Sequence, residues 1–189
     1  MRIQLLIAEL NESRRKKWET AFYKIERVAV RKCNARDLMA CPDVDAMLMI
    51  GMLAHERFGG KSQIGKSQIL STRGKTGMPR WVVTTAPFPA HFEKKQIEGI
   101  MRSILVPDQQ MSPAEETYVV FLRAFEAIEE FNKGNQDKIQ TLGFEPEFLN
   151  FRGDLADEIA AVRKAYLDFT QKDHFSGKQN EHFSRLQVG

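Results

Sequence analysis

Short apolar runs alternate along this chain with stretches whose apolar positions recur at helical spacing, the pattern of interleaved strands and helices. Residues 3–8 read as a buried strand. Glu9, Leu10 and Asn11 then turn into a helix on which Trp18, Ala21, Phe22 and Ile25 share a face, leaving Arg14, Arg15, Lys16 and Lys17 to solvent. Residues 27–33 alternate around Val28 and Val30 as a second strand, and Asn34 to Asp37 leave it. Pro42 and Asp43 make a turn into a third strand over residues 44–50, apolar without a break from Ala46 and stopping at Gly51. Residues 51–60 read as a polar loop closed by Gly59 and Gly60, the place where open α/β sheets hold a ligand.

Two further strands, over residues 68–72 and 80–85, flank a glycine-rich turn. A helix follows with Ile97, Ile100, Met101, Ile104 and Leu105 on one face. The next helix opens with Ser112-Pro113-Ala114-Glu115: an N-cap, a first-turn proline and the glutamate of a capping box. Tyr118, Phe121, Leu122, Phe125 and Ile128 form its stripe, and Lys133-Gly134-Asn135 ends it. Residues 139–142 read as a last strand and residues 143–152 as an aromatic-rich loop. Asp154 then caps a helix carrying Leu155, Ile159, Val162, Tyr166 and Phe169. The pattern predicts an α/β protein, a three-layer α/β/α sandwich around a mixed, roughly six-stranded sheet. It forms one domain over residues 1–170, with a polar tail over residues 171–189.

Composition narrows the partners. The net charge of +3 is far from the clustered excess of a dedicated nucleic-acid binder, so no specific nucleic acid is expected. The basic run from Arg14 to Lys17 reads as a solvated helix face. No apolar run approaches a membrane span, and the first residues lack the h-region and cleavage site of a signal peptide, so no membrane partner is expected. Cys33 and Cys41 show no CxxC spacing, which fits a reduced, cytoplasmic setting. No metal is expected: His174 and His182, with Asp173 and Glu181 nearby, fit no ligand spacing. No cofactor is expected either.

Residues 60–67, GKSQIGKS, match the Walker A pattern, in which glycine amides and a lysine cradle phosphates between a strand and a helix. The context differs, since the strand ends at Gly51 and residues 68–72 continue as strand. The match also arises from a five-residue duplication. A loop rich in Gly, Lys and Ser remains able to hold a phosphate through its amides. His55 lies in the loop after the central strand, where a histidine serves either as an acid/base or as an ordinary surface residue. There is no GxSxG elbow. Phe144, Phe148 and Phe151 either tuck into the core or offer a ring for a base to stack on.

The order of these motifs resembles the macro-domain family, which binds ADP-ribose, and is closest to its bacterial and phage branch. The similarity runs through IQLLIAELN, KKWETAF, VAVRKCNARDL, VDAMLMIG, GKSQILSTRGKTGMPRWVVTTAPF, TYVVFLRAFEAIEEFN, KIQTLGF and ADEIAAVRKAYLDF, nearly the whole chain up to Phe169. The resemblance implies that adenine lies near Asn34, which stands where the family usually has an aspartate. It implies phosphates near Gly51, Gly59, Gly60 and Gly143, and a ring of Phe144 or Phe148 over the base. Where such domains hydrolyse ADP-ribosyl groups, His55 is the acid/base that this chain offers. The chain departs from the family at the site. The asparagine-bearing loop is replaced by Met49-Ile50-Gly51-Met52-Leu53, and the second phosphate loop carries Glu145 and Glu147. Two alignments to the family stand open: either Gly59 and Gly60 are the remnant of its glycine loop, or LAHERFGG matches the helix after that loop, which is then reduced to about Gly51. Three functions therefore stand side by side: a binder of ADP-ribose or a related nucleotide, an ADP-ribosyl hydrolase, and a protein-interaction module that has lost the pocket.

Overall fold

A computed structural model describes residues 3–86, 111–149 and 151–185, with the side chains of the last helix described through Gln171. The elements are β1 (Gln4–Ala8), α1 (Glu12–Ala21), β2 (Val28–Arg31), α2 (Ala35–Met39), β3 (Ala46–Met49) and α3 (Gly51–Phe58). They continue with β4 (Ile69–Ser71), β5 (Trp81–Thr84), α4 (Pro113–Gly134), β6 (Thr141–Phe144) and α5 (Leu155–Arg185). The helix expected around residues 97–105 lies outside the described residues. Beyond Gln171, α5 continues through most of the segment expected as a polar tail.

The six strands form one sheet in the order β2-β1-β6-β3-β5-β4. β1 pairs in parallel with β2 and β6, and β3 with β6 and β5, while β4 runs antiparallel to β5. The sheet is therefore mixed, with its one reversed strand at an edge.

Period-2 alternation sorts the strand residues onto two faces. Leu5, Ile7, Ala46, Leu48, Val83, Leu142 and Phe144 point to one face, where Trp18 of α1, Phe121, Phe125 and Ile128 of α4, and Val162, Tyr166 and Phe169 of α5 cover them. Leu6, Ala8, Met47, Met49 and Val82 point to the other, under Leu38 of α2 and Ala54 of α3. Both faces are covered, which makes the three layers helix, sheet, helix. Each fully buried large apolar side chain in these layers contributes about 1.5–3 kcal/mol.

The helix starts follow local rules. Asn11 Oδ1 accepts from Arg14 N at 3.0 Å. Ser112 and Glu115 form the complete capping box, Ser112 N donating to Glu115 Oε2 at 2.8 Å and Glu115 N to Ser112 Oγ at 3.3 Å. Those bonds hold the Glu115 carboxyl below its ordinary pKa. Asp154 Oδ1 accepts from Ala156 N at 2.8 Å at the start of α5.

Three elements differ from the pattern read along the chain. Residues 35–39, expected as a connection, form α2, and β6 sits two residues later than expected. Residues 51–58, read from the pattern as loop, form α3, in line with the alignment that reduces the loop to about Gly51. Gly143 and Phe144 thus belong to the strand, not to the loop.

Candidate functional site

The chain leaves β1 toward α1 on one face of the sheet and leaves β3 toward α3 on the other. The carboxyl ends of the strands between these departures are where such sheets form a ligand crevice. β6 lies between β1 and β3 and brings its own exit, residues 145–149, to this place.

Glu9 follows β1 and is only 5% exposed. Its Oε1 accepts from Asn11 N at 2.9 Å, and its Oε2 lies 3.3 Å from Arg14 Nε. Both oxygens are thus engaged within the chain. Asn34, expected to hold an adenine amino group, is the N-cap of α2, and its Oδ1 accepts from Asp37 N at 2.8 Å. The capping bond takes up one lone pair of the oxygen that an adenine would need and fixes its direction toward α2. The next amide, Ala35 N, donates to the Glu145 carboxylate. Burial pushes the Glu145 carboxyl up; the Ala35 amide and Arg14 oppose this, and Glu147 and Glu9 reinforce it. Burial is also the main cause that raises the neighbouring Cys33 thiol, with Asp37 adding to it.

Gly143, expected in a phosphate loop, is buried inside β6. A Cβ there would fall 2.8 Å from Met47 Sδ and 2.9 Å from Leu38 Cδ2, so the glycine makes room for side chains and not for a ligand. Phe144 is fully buried with its ring edge-on to Trp18 at 5.7 Å and to Phe121 at 4.8 Å. It cannot stack on a base. Phe148 is half-buried and packs on the Leu6–Met47 side of the sheet, held by a turn in which Leu149 N donates to Glu145 O at 3.3 Å. Phe151 packs on the opposite face, in contact with Phe121.

Gly51 is the first residue of α3, so no loop separates β3 from that helix. Its N–H donates to Thr85 Oγ1 at 2.9 Å, and a Cβ would meet Thr85 O at 2.8 Å. Gly59 and Gly60 end the same helix. Both have positive φ, and Gly59 N donates to His55 O at 2.9 Å. They form a C-terminal cap and not a phosphate loop. His55 sits in the last turn of α3, half-buried, with Nδ1 3.1 Å from Gly59 O. The structure thus assembles His55 with Gly59 and Gly60 at one end of α3. Gly51 lies at the other end, and Asn34, Gly143 and Phe148 lie around α2.

The Walker-like residues 60–67 lead into β4 and not into a helix. The strand–loop–helix geometry that a phosphate cradle requires is not built there. The sequence reading missed Thr85 and Glu9, which complete the crevice. A carboxylate directly after the apolar run of β1 and a threonine pair closing β5 are the only signals that could have marked them.

At the opposite end of the sheet, a depression of about 310 Å³ is lined by Met39, Cys41, Val44, Asp45, Met78 and Arg80 among others. Its charged groups are already used. Asp45 Oδ2 accepts from Gln140 N at 2.8 Å and Thr141 N at 2.9 Å, Arg80 pairs with Asp137 at 2.7 Å, and Arg31 Nη1 lies 3.1 Å from Cys41 Sγ. Among the described residues no group of three His, Cys, Asp or Glu side chains could hold a metal ion, and no helix is long and apolar enough to cross a membrane.

Fold and site together define an α/β sandwich whose crevice is lined by groups bonded to one another. No family model matches the chain, and no curated protein matches it.

Proposed function

We propose that this chain is a non-catalytic interaction module on a macro-like α/β fold, its ligand crevice closed by its own side chains. One observation carries the reading. The Glu145 carboxylate takes the Ala35 amide at the start of α2, and the same turn lays Phe148 on the apolar face beside it. A pyrophosphate entering there meets a carboxylate where it needs a donor, flanked by Glu9 and Glu147. The contact surface of the module is the rim of this closed crevice. Leu10, just after β1, is 51% exposed and Met52, in the first turn of α3, is 76% exposed, so both offer apolar area to a protein partner.

Calorimetric titration with ADP-ribose tests the closure: no heat of binding is expected up to millimolar ligand, and saturable binding at micromolar ligand refutes it. Photo-crosslinking from position 52 in the native extract tests the module. A single protein adduct that Leu10→Asp abolishes is expected; adducts that Leu10→Asp leaves unchanged would overturn the assignment of the rim.

A second reading is a binder of ADP-ribose or a related nucleotide. It is favoured by α3 beginning at the carboxyl end of β3, which aims the positive end of a helix at the crevice. It requires Glu145 and Phe148 to move aside, and saturable binding in the same titration selects it. Hydrolysis by His55 is the weakest of the three, because α3 holds that side chain one turn away from Gly51, against the Gly59 carbonyl.

A further inference from the structure

The net charge of +3 hides an uneven distribution. Residues 51–86 hold six Lys and Arg (Arg57, Lys61, Lys66, Arg73, Lys75 and Arg80) against one acid, Glu56, a net of +5, so the other 153 residues carry −2. Arg80 pairs with Asp137. Among the described residues, none of the other five forms an ion pair. Lys61, Lys66, Arg73, Lys75 and Arg57 are all exposed.

The fold gathers these five on one side of the molecule, the β4 edge of the sheet and the carboxyl end of α3. Lys75 Nζ lies 3.4 Å from Arg57 O and 4.8 Å from the Phe58 ring centre, so the β4–β5 turn is fastened to the end of α3. Gln68 Nε2 donates to Lys61 O, which fastens the loop before β4 to the strand. Three segments that are separate in sequence therefore share one cationic surface. Gly65 and Gly74 have positive φ and nothing within 4 Å of the Cβ position, so the backbone there is uncovered, while the amides that follow them donate within the chain, Lys66 N to Gln63 O and Lys75 N to Thr72 O. The uncharged side chains interspersed there, Ser62, Gln63 and Thr76, are exposed hydrogen-bonding groups.

We propose that this edge binds the phosphate backbone of nucleic acid without reading its sequence. The chemistry favours a polyphosphate over a lipid surface. Among the described residues the large exposed apolar side chains are Leu10, Tyr23 and Met52, and none of them stands among these cations to insert between lipids. It favours nucleic acid over an acidic protein segment because the cations are spread over a helix end, a loop and a turn. Cations and neutral donors spaced in this way suit a repeating phosphate backbone. This surface is separate from the crevice, and the inference does not depend on how the crevice is read.

The test is fluorescence anisotropy with an end-labelled 20-base single-stranded DNA, titrated with the full chain at several salt concentrations. Five phosphate contacts predict a log–log salt slope near −3.5, at about −0.7 per contact. Lys61→Gln/Lys66→Gln/Arg73→Gln is expected to weaken binding at least tenfold at 50 mM salt and to flatten the slope by about 2. These side chains are exposed, and an unchanged melting temperature verifies that the variant is folded. Lys16→Gln/Lys17→Gln on α1 is expected to leave affinity within twofold. A second oligonucleotide of scrambled sequence is expected to bind equally. The proposal is overturned by no binding at 50 mM salt, by a triple variant that binds like the parent, or by tighter binding to polyglutamate or to phosphatidylserine vesicles than to the oligonucleotide.

Discussion

Phe144 separates a ligand-stacking ring from a core ring, and its truncation decides between them. The side chain is fully buried on the face covered by α1, α4 and α5, edge-on to Trp18 and Phe121. Phe144→Ala removes this ring and leaves a cavity that three helices cannot all collapse into. The cost is about 3–5 kcal/mol. Each lost edge contact accounts for about 0.5–1.5 kcal/mol of it. For a chain of this length, about 2–4 °C per kcal/mol converts the loss to a drop of roughly 6–20 °C in melting temperature. Phe144→Leu keeps most of the volume and is expected to cost less than half as much. Phe148→Ala removes a half-buried ring from the crevice, for about 1–2 kcal/mol. Urea unfolding followed by tryptophan fluorescence is the assay, since buried Trp18 lies 5.7 Å from the ring in question. An unchanged m-value with a lowered midpoint is the expected signature. A Phe144→Ala cost below about 1 kcal/mol, or one smaller than that of Phe148→Ala, would refute the placement of the ring in the core.

Two further substitutions probe the sheet ends. Asp45→Ala removes the carboxylate that receives both Gln140 N and Thr141 N and so ties the starts of β3 and β6; it is expected to cost about 2 kcal/mol in urea unfolding, with Asp45→Asn losing about half of that. Glu145 carries a pH dependence whose sign follows from burial. Its folded pKa lies above the unfolded value, so the folded state binds the proton more tightly and this group's contribution to stability falls as pH rises through that window. Glu145→Gln is therefore expected to gain stability relative to the parent between pH 4 and pH 7, read from melting temperatures across that range; a variant that loses ground as pH rises would contradict the assignment.

The layers of the fold were legible because burial imposes its period on the sequence. Leu5, Leu6, Ile7 and Ala8 are fully buried on both sides, and they stand as an unbroken apolar run. The α4 stripe and its capping box are local codes, so both could be read without tertiary information. The crevice was much less legible. Asn34 and Asp37 occupy the N-cap and N3 positions of α2, a start signal hidden by a helix only five residues long. Gly143 looks like a loop residue and serves as strand, because the space it leaves is claimed by Met47 and Leu38 from other elements. Gly51 suggested a strand exit into a loop. In the fold its missing side chain instead admits the Thr85 carbonyl, and that contact is decided by a strand more than thirty residues later.

The junction of β3 and α3 gives this crevice its character. Ile50, the N-cap of α3, offers no side-chain bond to the first turn. Thr85, at the end of the neighbouring β5, supplies it through the hydroxyl that accepts from Gly51 N. At α2 the same need is met twice, by Asn34 Oδ1 and by the Glu145 carboxylate on the Ala35 amide. Helix starts at the carboxyl edge of a sheet usually leave amides for an anion. Here the chain answers the first turns of both helices with its own oxygens, and the acid it uses at α2 is half-buried beside two other acids. An external anion must displace a carboxylate that is covalently part of the chain, and so present at high effective concentration. The uncompensated positive charge lies instead at the β4 edge, where Lys61, Lys66 and Arg73 have no acidic partner among the described residues. The fold thus meets the first turns of α2 and α3 with its own oxygens and leaves these cations on the side of the sheet where β4 runs antiparallel to β5.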